Sequence, residues 1–234
     1  MNVLTCVSCY YKINNKHGDK YNDWFKNTLS INVPYVFFSD ASGIEYIKQF
    51  RGNLPTVYIE CGIESFYGYK YHEIIKIDAH NCPSVELKMI WNEKVFFLEK
   101  ASQLNPFRSE WFQWIDAGVC VYRDNPPPPD KVYPNVSKLE QFPKDRLLFS
   151  SSLPWNENLV KVGNYYHHVS GTSYILHKSF ISTFVGVYKI YLEKLVGEHN
   201  IWTDQDILTH IFKDNRDMFI HICHGYGEIV PFFF

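Results

Sequence analysis

Trp114-Ile115-Asp116-Ala117-Gly118 sets a carboxylate directly after an apolar strand pattern and follows it with a small residue and a glycine. In open α/β sheets, ligands sit beyond the carboxyl ends of the strands, so an acid at this point is placed to meet a ligand or a metal ion. Gly118 would let the backbone come close to such a ligand. A turn aspartate capping its own loop accounts equally well for the same residues.

A second candidate is Lys94. Leu87, Ile90, Trp91, Leu98 and Ala101 form one apolar stripe at helical spacing, and Lys94 lies in the middle of it. An unpaired ammonium in an apolar interior is costly. Lys94 therefore either runs its stem outward to water or has an anionic partner, such as Asp116 or a ligand phosphate.

The third candidate is Trp202-Thr203-Asp204-Gln205-Asp206. Thr203 suits an N-cap, and acids in a first turn suit the helix dipole, which accounts for Asp206 in full. Asp204 shares a helical face with Ile207, Leu208 and Ile211, so it is expected to point inward as a pocket carboxylate, either a general base or a ligand for an acceptor hydroxyl.

Lesser candidates surround these. His221 and His224 end the last strand pattern, and His224 precedes Gly225-Tyr226-Gly227. His167-His168 stands before Ser170-Gly171-Thr172, whose small groups and amides either receive a donor sugar or form a structural turn. Ser8, directly after the first strand, is counted with Gly171 as a donor contact.

The elements that must position these groups alternate between strand and helix patterns, which argues for an α/β fold with a mostly parallel, twisted sheet flanked by helices. Strands are expected at Val3–Val7, Tyr35–Phe38, Val57–Ile59, Trp111–Ile115, Leu147–Ser150, Gly171–Leu176 and Met218–Ile222. Helices are expected at Lys20–Ser30, Ile44–Phe50, Ser84–Ser102, Phe180–Val196 and Thr203–Phe212, with a polar loop over Tyr10–Gly18. The run Asn125-Pro126-Pro127-Pro128-Pro129-Asp130 is a stiff connector. It divides a single domain, 1–234, into an N-terminal half at 1–124 and a C-terminal half at 125–234.

Composition narrows the classes. With 46% hydrophobic and 21% charged residues, 234 residues form a sizeable core and not a disordered chain. A formal net charge of −2 leaves no basic surplus for a nucleic-acid backbone. The 18% aromatic content suits either a core or the walls of a sugar or base pocket. Six cysteines include one close pair, Cys6 and Cys9, inside or just after the opening strand, with no second pair at zinc spacing. This usage fits a reducing, cytoplasmic compartment. Neither a signal peptide nor a transmembrane segment is expected, since Asn2–Val7 is too short for the one and no apolar run reaches about 18 residues for the other.

On these residues the chain resembles the HtrL/YibB-like proteins, a group read as glycosyltransferases of the GT-A fold. The resemblance rests on Tyr21-Asn22-Asp23-Trp24-Phe25-Lys26 with Pro34-Tyr35-Val36-Phe37-Phe38, on Trp91-Asn92-Glu93-Lys94 with Phe97-Leu98, on Phe112-Gln113-Trp114-Ile115-Asp116-Ala117-Gly118, and on Asp204-Gln205. A looser similarity to glycogenin-like transferases rests on Asp116, on Asp204-Gln205-Asp206-Ile207-Leu208 and on the region from His221 to Gly225. Against that pattern, Gly118 replaces the second acid of D-x-D and Thr209 replaces an asparagine. The second acid commonly ligates the divalent metal that binds the donor diphosphate, so its loss puts metal dependence in question.

The resemblance implies a Rossmann-like nucleotide-binding domain that moves a sugar from a UDP- or GDP-sugar to a glycan, lipid-linked saccharide or protein acceptor, plausibly in polysaccharide biosynthesis. It makes 1–124 the nucleotide-sugar-binding half and 125–234 the acceptor-side half. Asp116, Ala117, Gly118, Lys94, Ser8 and Gly171 would bind the donor and Asp204 would be catalytic. Mn2+ or Mg2+ would be held by Asp116 and His224. The alternative is a catalytically inactive GT-A-like protein that binds a nucleotide or glycan; a structural or interaction protein with an aromatic binding face is a further class.

Overall fold

In a computed structural model of the chain, residues 2–13, 17–75, 84–162, 164, 166–198 and 203–234 are described. Cys82, Trp202 and part of the expected Tyr10–Gly18 loop lie outside them. The strands are β1 (Leu4–Cys9), β2 (Tyr35–Ser39), β3 (Thr56–Glu60), β4 (Trp111–Ile115), β5 (Leu147–Ser151), β6 (Val169–His177) and β7 (Phe219–His224). They form one seven-stranded sheet in the order β3-β2-β1-β4-β6-β5-β7. β1, β2, β3 and β4 pair in parallel, as do β5 and β7, while β6 runs antiparallel to both neighbours. The expected single domain with a mostly parallel mixed sheet is thus present.

The helices follow from local chemistry. α1 (Tyr21–Thr28) and α2 (Ala41–Arg51) come first. The Asp40 side chain accepts a hydrogen bond from Gly43 N at 2.7 Å, which starts α2 three residues before the expected Ile44. α3 (Val85–Leu104) is capped by Ser84, whose hydroxyl accepts from Leu87 N at 3.1 Å, and it stops at Asn105, which adopts φ 36°. There the αL conformation closes the helix, as asparagine does at such ends. The short α4 (Val136–Leu139) was not expected from the sequence; α5 (Lys178–Leu192) continues into a π-type segment at Glu193–Glu198. α6 (Asp204–Asp214) starts from the Thr203 cap, and α7 (Ile229–Phe232) closes the chain's last turn.

Alternation along the strands sends side chains to two cores. One contains Val7, Trp114 and Tyr174 with Val95, Leu98, Phe184 and Ile207 from α3, α5 and α6. The other contains Cys6, Trp111 and Ile115 with Phe25, Ile47 and Ile229 from α1, α2 and α7. Both draw on residues before and after the proline run. Arg51 was overlooked in the sequence. It is buried, its guanidinium donates to the carbonyls of Leu29, Ile31, Val33 and Pro55 at 2.7–3.3 Å, and it lies 4.2 Å from the Tyr35 ring centroid. It ties α2 to the loop leading into β2 without any carboxylate.

Candidate functional site

β1 and β4 are adjacent and parallel, with Val7 opposite Trp114. To one side the chain steps outward through β2 and β3; to the other it continues through β6. This reversal of strand order leaves a crevice beyond the strand ends, where open α/β sheets bind ligands. Here it is a cleft of about 680 Å³, its open mouth included. Tyr10, Tyr11, Tyr21 and Trp91 give it aromatic walls, and Lys94, Asp116, Ala117, Gly118 and Arg123 supply its small and charged side.

Lys94 is the centre of the polar arrangement. Its helix position turns it inward, and it is only 4% exposed. The ammonium donates to Gly171 O at 2.9 Å and forms ion pairs with Asp116 Oδ1 and Asp204 Oδ2, each at 3.1 Å. It also lies 5.6 Å from the centroid of the Trp114 ring, and that indole donates from Nε1 to Asp116 Oδ1 at 2.9 Å. Lys94 therefore does not reach out to solvent; it has the anionic partner that its place on an apolar stripe requires.

The electrostatics follow from burial and pairing. Burial alone would lower the Lys94 pKa, but Asp116 and Asp204 outweigh it and hold the ammonium above its ordinary range. Burial pushes the Asp204 carboxyl up to about 6, with Lys94 pulling against that and Asp116 adding repulsion. One cation faces two carboxylates, so the cluster is anionic by one charge when all three are ionised.

The expected site residues separate into two groups. Asp116, Ala117, Gly118 and Lys94 do line the cleft. Asp204 does not: it is 2% exposed and lies behind Lys94, whereas the Asp116 side chain is 34% exposed. Gly171 is also buried beneath the site. A Cβ there would lie 2.3 Å from Asp204 Oδ2 and 2.8 Å from Gln205 Cγ, and its amide donates to Gln205 Oε1 at 3.1 Å. Its glycine lets β6 press against the start of α6. Ser8 is fully buried, and its hydroxyl has no hydrogen-bond partner. With the two-residue alternation of β1 it points away from the cleft, and Cys9 takes the lining position instead. Cys6 and Cys9, three residues apart, fall on opposite faces of β1.

His224 is not brought to Asp116. It ends β7, three strand spacings from β4, or about 14 Å across the sheet. Its Nδ1 lies 2.7 Å from Ser151 Oγ, which also faces His221 Nε2 at 3.0 Å. The donor set does not suit a divalent metal. Among the described residues no group of three His, Cys, Asp or Glu could hold one. Asp116 Oδ1 is already engaged by Lys94 and Trp114. A Cβ at Gly118 would lie 3.0 Å from Trp24 Cβ, so a second acid there would need Trp24 to shift.

Arg123 and the tyrosines of the cleft were missed in the sequence. Arg123 is the sole basic residue between Asp116 and the proline run, a signal that was available. Its guanidinium lies 3.9 Å from the centroid of Trp24.

Among solved structures the chain is similar to mouse xyloside xylosyltransferase 1 in its apo form, with a TM-score of 0.52, 10% identity, and coverage of 95% of this chain and 85% of that one. At that identity the likeness concerns the fold, which is that of a GT-A glycosyltransferase. No helix among the described residues is long and apolar enough to cross a membrane. No curated protein matches the chain. The family model described as "Bacterial protein of unknown function (HtrL_YibB)" matches residues 64–228, a stretch that contains Lys94, Asp116, Gly171 and Asp204, and the chain belongs to that family.

Proposed function

We propose that this protein is a glycosyltransferase that uses a UDP- or GDP-sugar and delivers the sugar to a hydroxyl of a glycan, a lipid-linked saccharide or a protein. The observation that carries the reading is the Lys94–Asp116 pair at the floor of an aromatic-walled cleft, at the end of the central strand. A base and ribose suit the aromatic walls, because rings offer large contact area with polar tips. Asp116 is the carboxylate open to the cleft and accepts hydrogen bonds from donor hydroxyls. Lys94 faces the sugar–phosphate linkage.

In the reaction, the bond between the anomeric carbon and the phosphate oxygen breaks, and its electron pair leaves with the nucleoside diphosphate. The acceptor oxygen bonds to that carbon and gives up its proton. Charge grows on the departing diphosphate, so fixed cations beside it lower the barrier. Asp204 serves by holding Lys94 charged and in place, since its carboxylate meets the cleft only through that ammonium. Five free cysteines among the described residues support a reducing compartment, and we place the activity in the cytoplasm, in surface polysaccharide assembly.

The test is thermal stability with a panel of UDP- and GDP-sugars, with and without Mn2+. A saturable rise with one nucleotide class is the expected result. No response to any of them would remove the donor-site reading. Gly118, in place of a second acid, favours the alternative of an inactive binder, which release of nucleoside diphosphate would exclude.

A further inference from the structure

We infer that Arg123 is the diphosphate-binding cation of this cleft and holds the donor's phosphates directly, where a divalent metal would otherwise be needed. The inference rests on the donor-site reading above. It begins with charge. Lys94 is already matched by Asp116 and Asp204, and that cluster is anionic by one charge. A diphosphate entering beside it is repelled unless another cation stands close. Of the residues lining the cleft, the remaining basic one is Arg123.

Arg123 is free to serve. Among the described residues no carboxylate pairs with it, and its Nε is buried without a hydrogen-bond partner. One flat face of the guanidinium is covered by Trp24 at 3.9 Å, and the residue lines the cleft. Guanidinium edges match phosphate oxygens two at a time. An unsatisfied buried N–H on a cleft-lining side chain calls for a partner.

The platform is fixed from below by α1. Asn27 Nδ2 donates to Tyr122 O at 2.8 Å, and Val119 N donates to Thr28 Oγ1 at 3.1 Å. A Cβ at Gly118 would lie 3.0 Å from the Trp24 Cβ, a contact tight enough that Trp24 would have to give way. The same tryptophan that crowds position 118 therefore supports the cation of this cleft. When the bond to the anomeric carbon breaks, the electron pair settles on a phosphate oxygen, and the guanidinium donates to that oxygen as its charge grows.

Calorimetric titration in EDTA tests this, with UDP, GDP, uridine and guanosine as probes against wild type, Arg123→Gln and Arg123→Lys. Wild type is expected to bind one diphosphate without metal. Arg123→Gln should lose about tenfold or more for that diphosphate and nothing for its nucleoside. Arg123→Lys keeps the charge but not the fork, so it should fall between them, and it carries the test alone if circular dichroism shows that Arg123→Gln unfolds. Diphosphate binding that appears only with Mn2+ or Mg2+, or variants that match wild type, would overturn the inference and leave the donor site standing. No binding of any probe, with or without metal, would remove the donor site itself.

Discussion

Asp204→Asn separates a catalytic acid from a positioning one. The Asp204 carboxyl is raised from 3.8 to about 6, so at neutral pH its ionisation costs the folded state about 3 kcal/mol at 1.36 kcal/mol per unit. Asparagine removes that cost. It also removes one of two counter-charges from Lys94, an ion pair at 3.1 Å with a gross attraction of about 5 kcal/mol at an effective dielectric of about 20. That attraction already acts within the raised pKa and is not subtracted again, so the variant should be more stable than wild type at neutral pH, by up to about 3 kcal/mol. Kinetics decide the role. Proton transfer is worth about 10²–10⁴ in rate. A group that acts through Lys94 should instead raise the donor KM, by about tenfold, with a loss that deepens at alkaline pH as Lys94 is held less firmly. The assay is donor-dependent release of nucleoside diphosphate, with kcat and KM measured across pH. A fall of 10² or more in kcat at unchanged donor KM would refute the positioning argument. Asp206→Asn is the control: Asp206 is buried, its pKa is raised to about 7 by burial, and its carboxylate accepts from Thr203 Oγ1 at 2.5 Å. The cap donor, Asp206 N, is kept in asparagine, so the variant should be at least as stable as wild type at neutral pH and leave both kinetic constants unchanged.

Two more variants test the frame around the site. Burial raises Glu93 from 4.5 to about 8 while Tyr67 N donates to its Oε2 at 2.9 Å. The folded protein then binds an extra proton between those values, so stability is full below about pH 4.5 and is lost as pH rises through 8. Glu93→Gln should melt like wild type in acid and gain increasingly above it, to a ceiling of about 5 kcal/mol near pH 9; parallel curves of melting temperature against pH would contradict this. Gly171→Ala puts a methyl 2.3 Å from Asp204 Oδ2, so it should cost about 1–3 kcal/mol and raise the donor KM by moving Asp204 off Lys94. A wild-type melting temperature would show that β6 can yield there.

The most legible parts of this sequence were those where one local rule governs. The apolar run Trp111–Ile115 is the observed β4, and Ser84 and Thr203 cap the helices that they announced. Lys94 was readable because a charge on an apolar stripe demands a partner, and the structure supplies Asp116 and Asp204. What stayed hidden depends on register across the sheet. Ser8 and Cys9 are neighbours in sequence, yet pleating sends one into the interior and the other into the cleft. Gly171 looked like a ligand contact because closeness to a ligand and closeness to another chain segment leave the same glycine. His224 was offered as a metal ligand by the family resemblance, but strand order carries it to the edge of the sheet. Arg51 and Arg123 gave no periodic signal, since their partners are carbonyls and a ring brought in from distant segments.

The central claim is that the cleft around Asp116 turns over a nucleotide sugar. Its most direct measurement is release of nucleoside diphosphate from UDP- and GDP-sugars by wild type and Asp116→Asn side by side. The account predicts turnover of one nucleotide class by wild type and a loss of about tenfold or more in the variant, whose fold should persist because its side chain is partly open to solvent. Equal release by both proteins, or none from any donor, would contradict it.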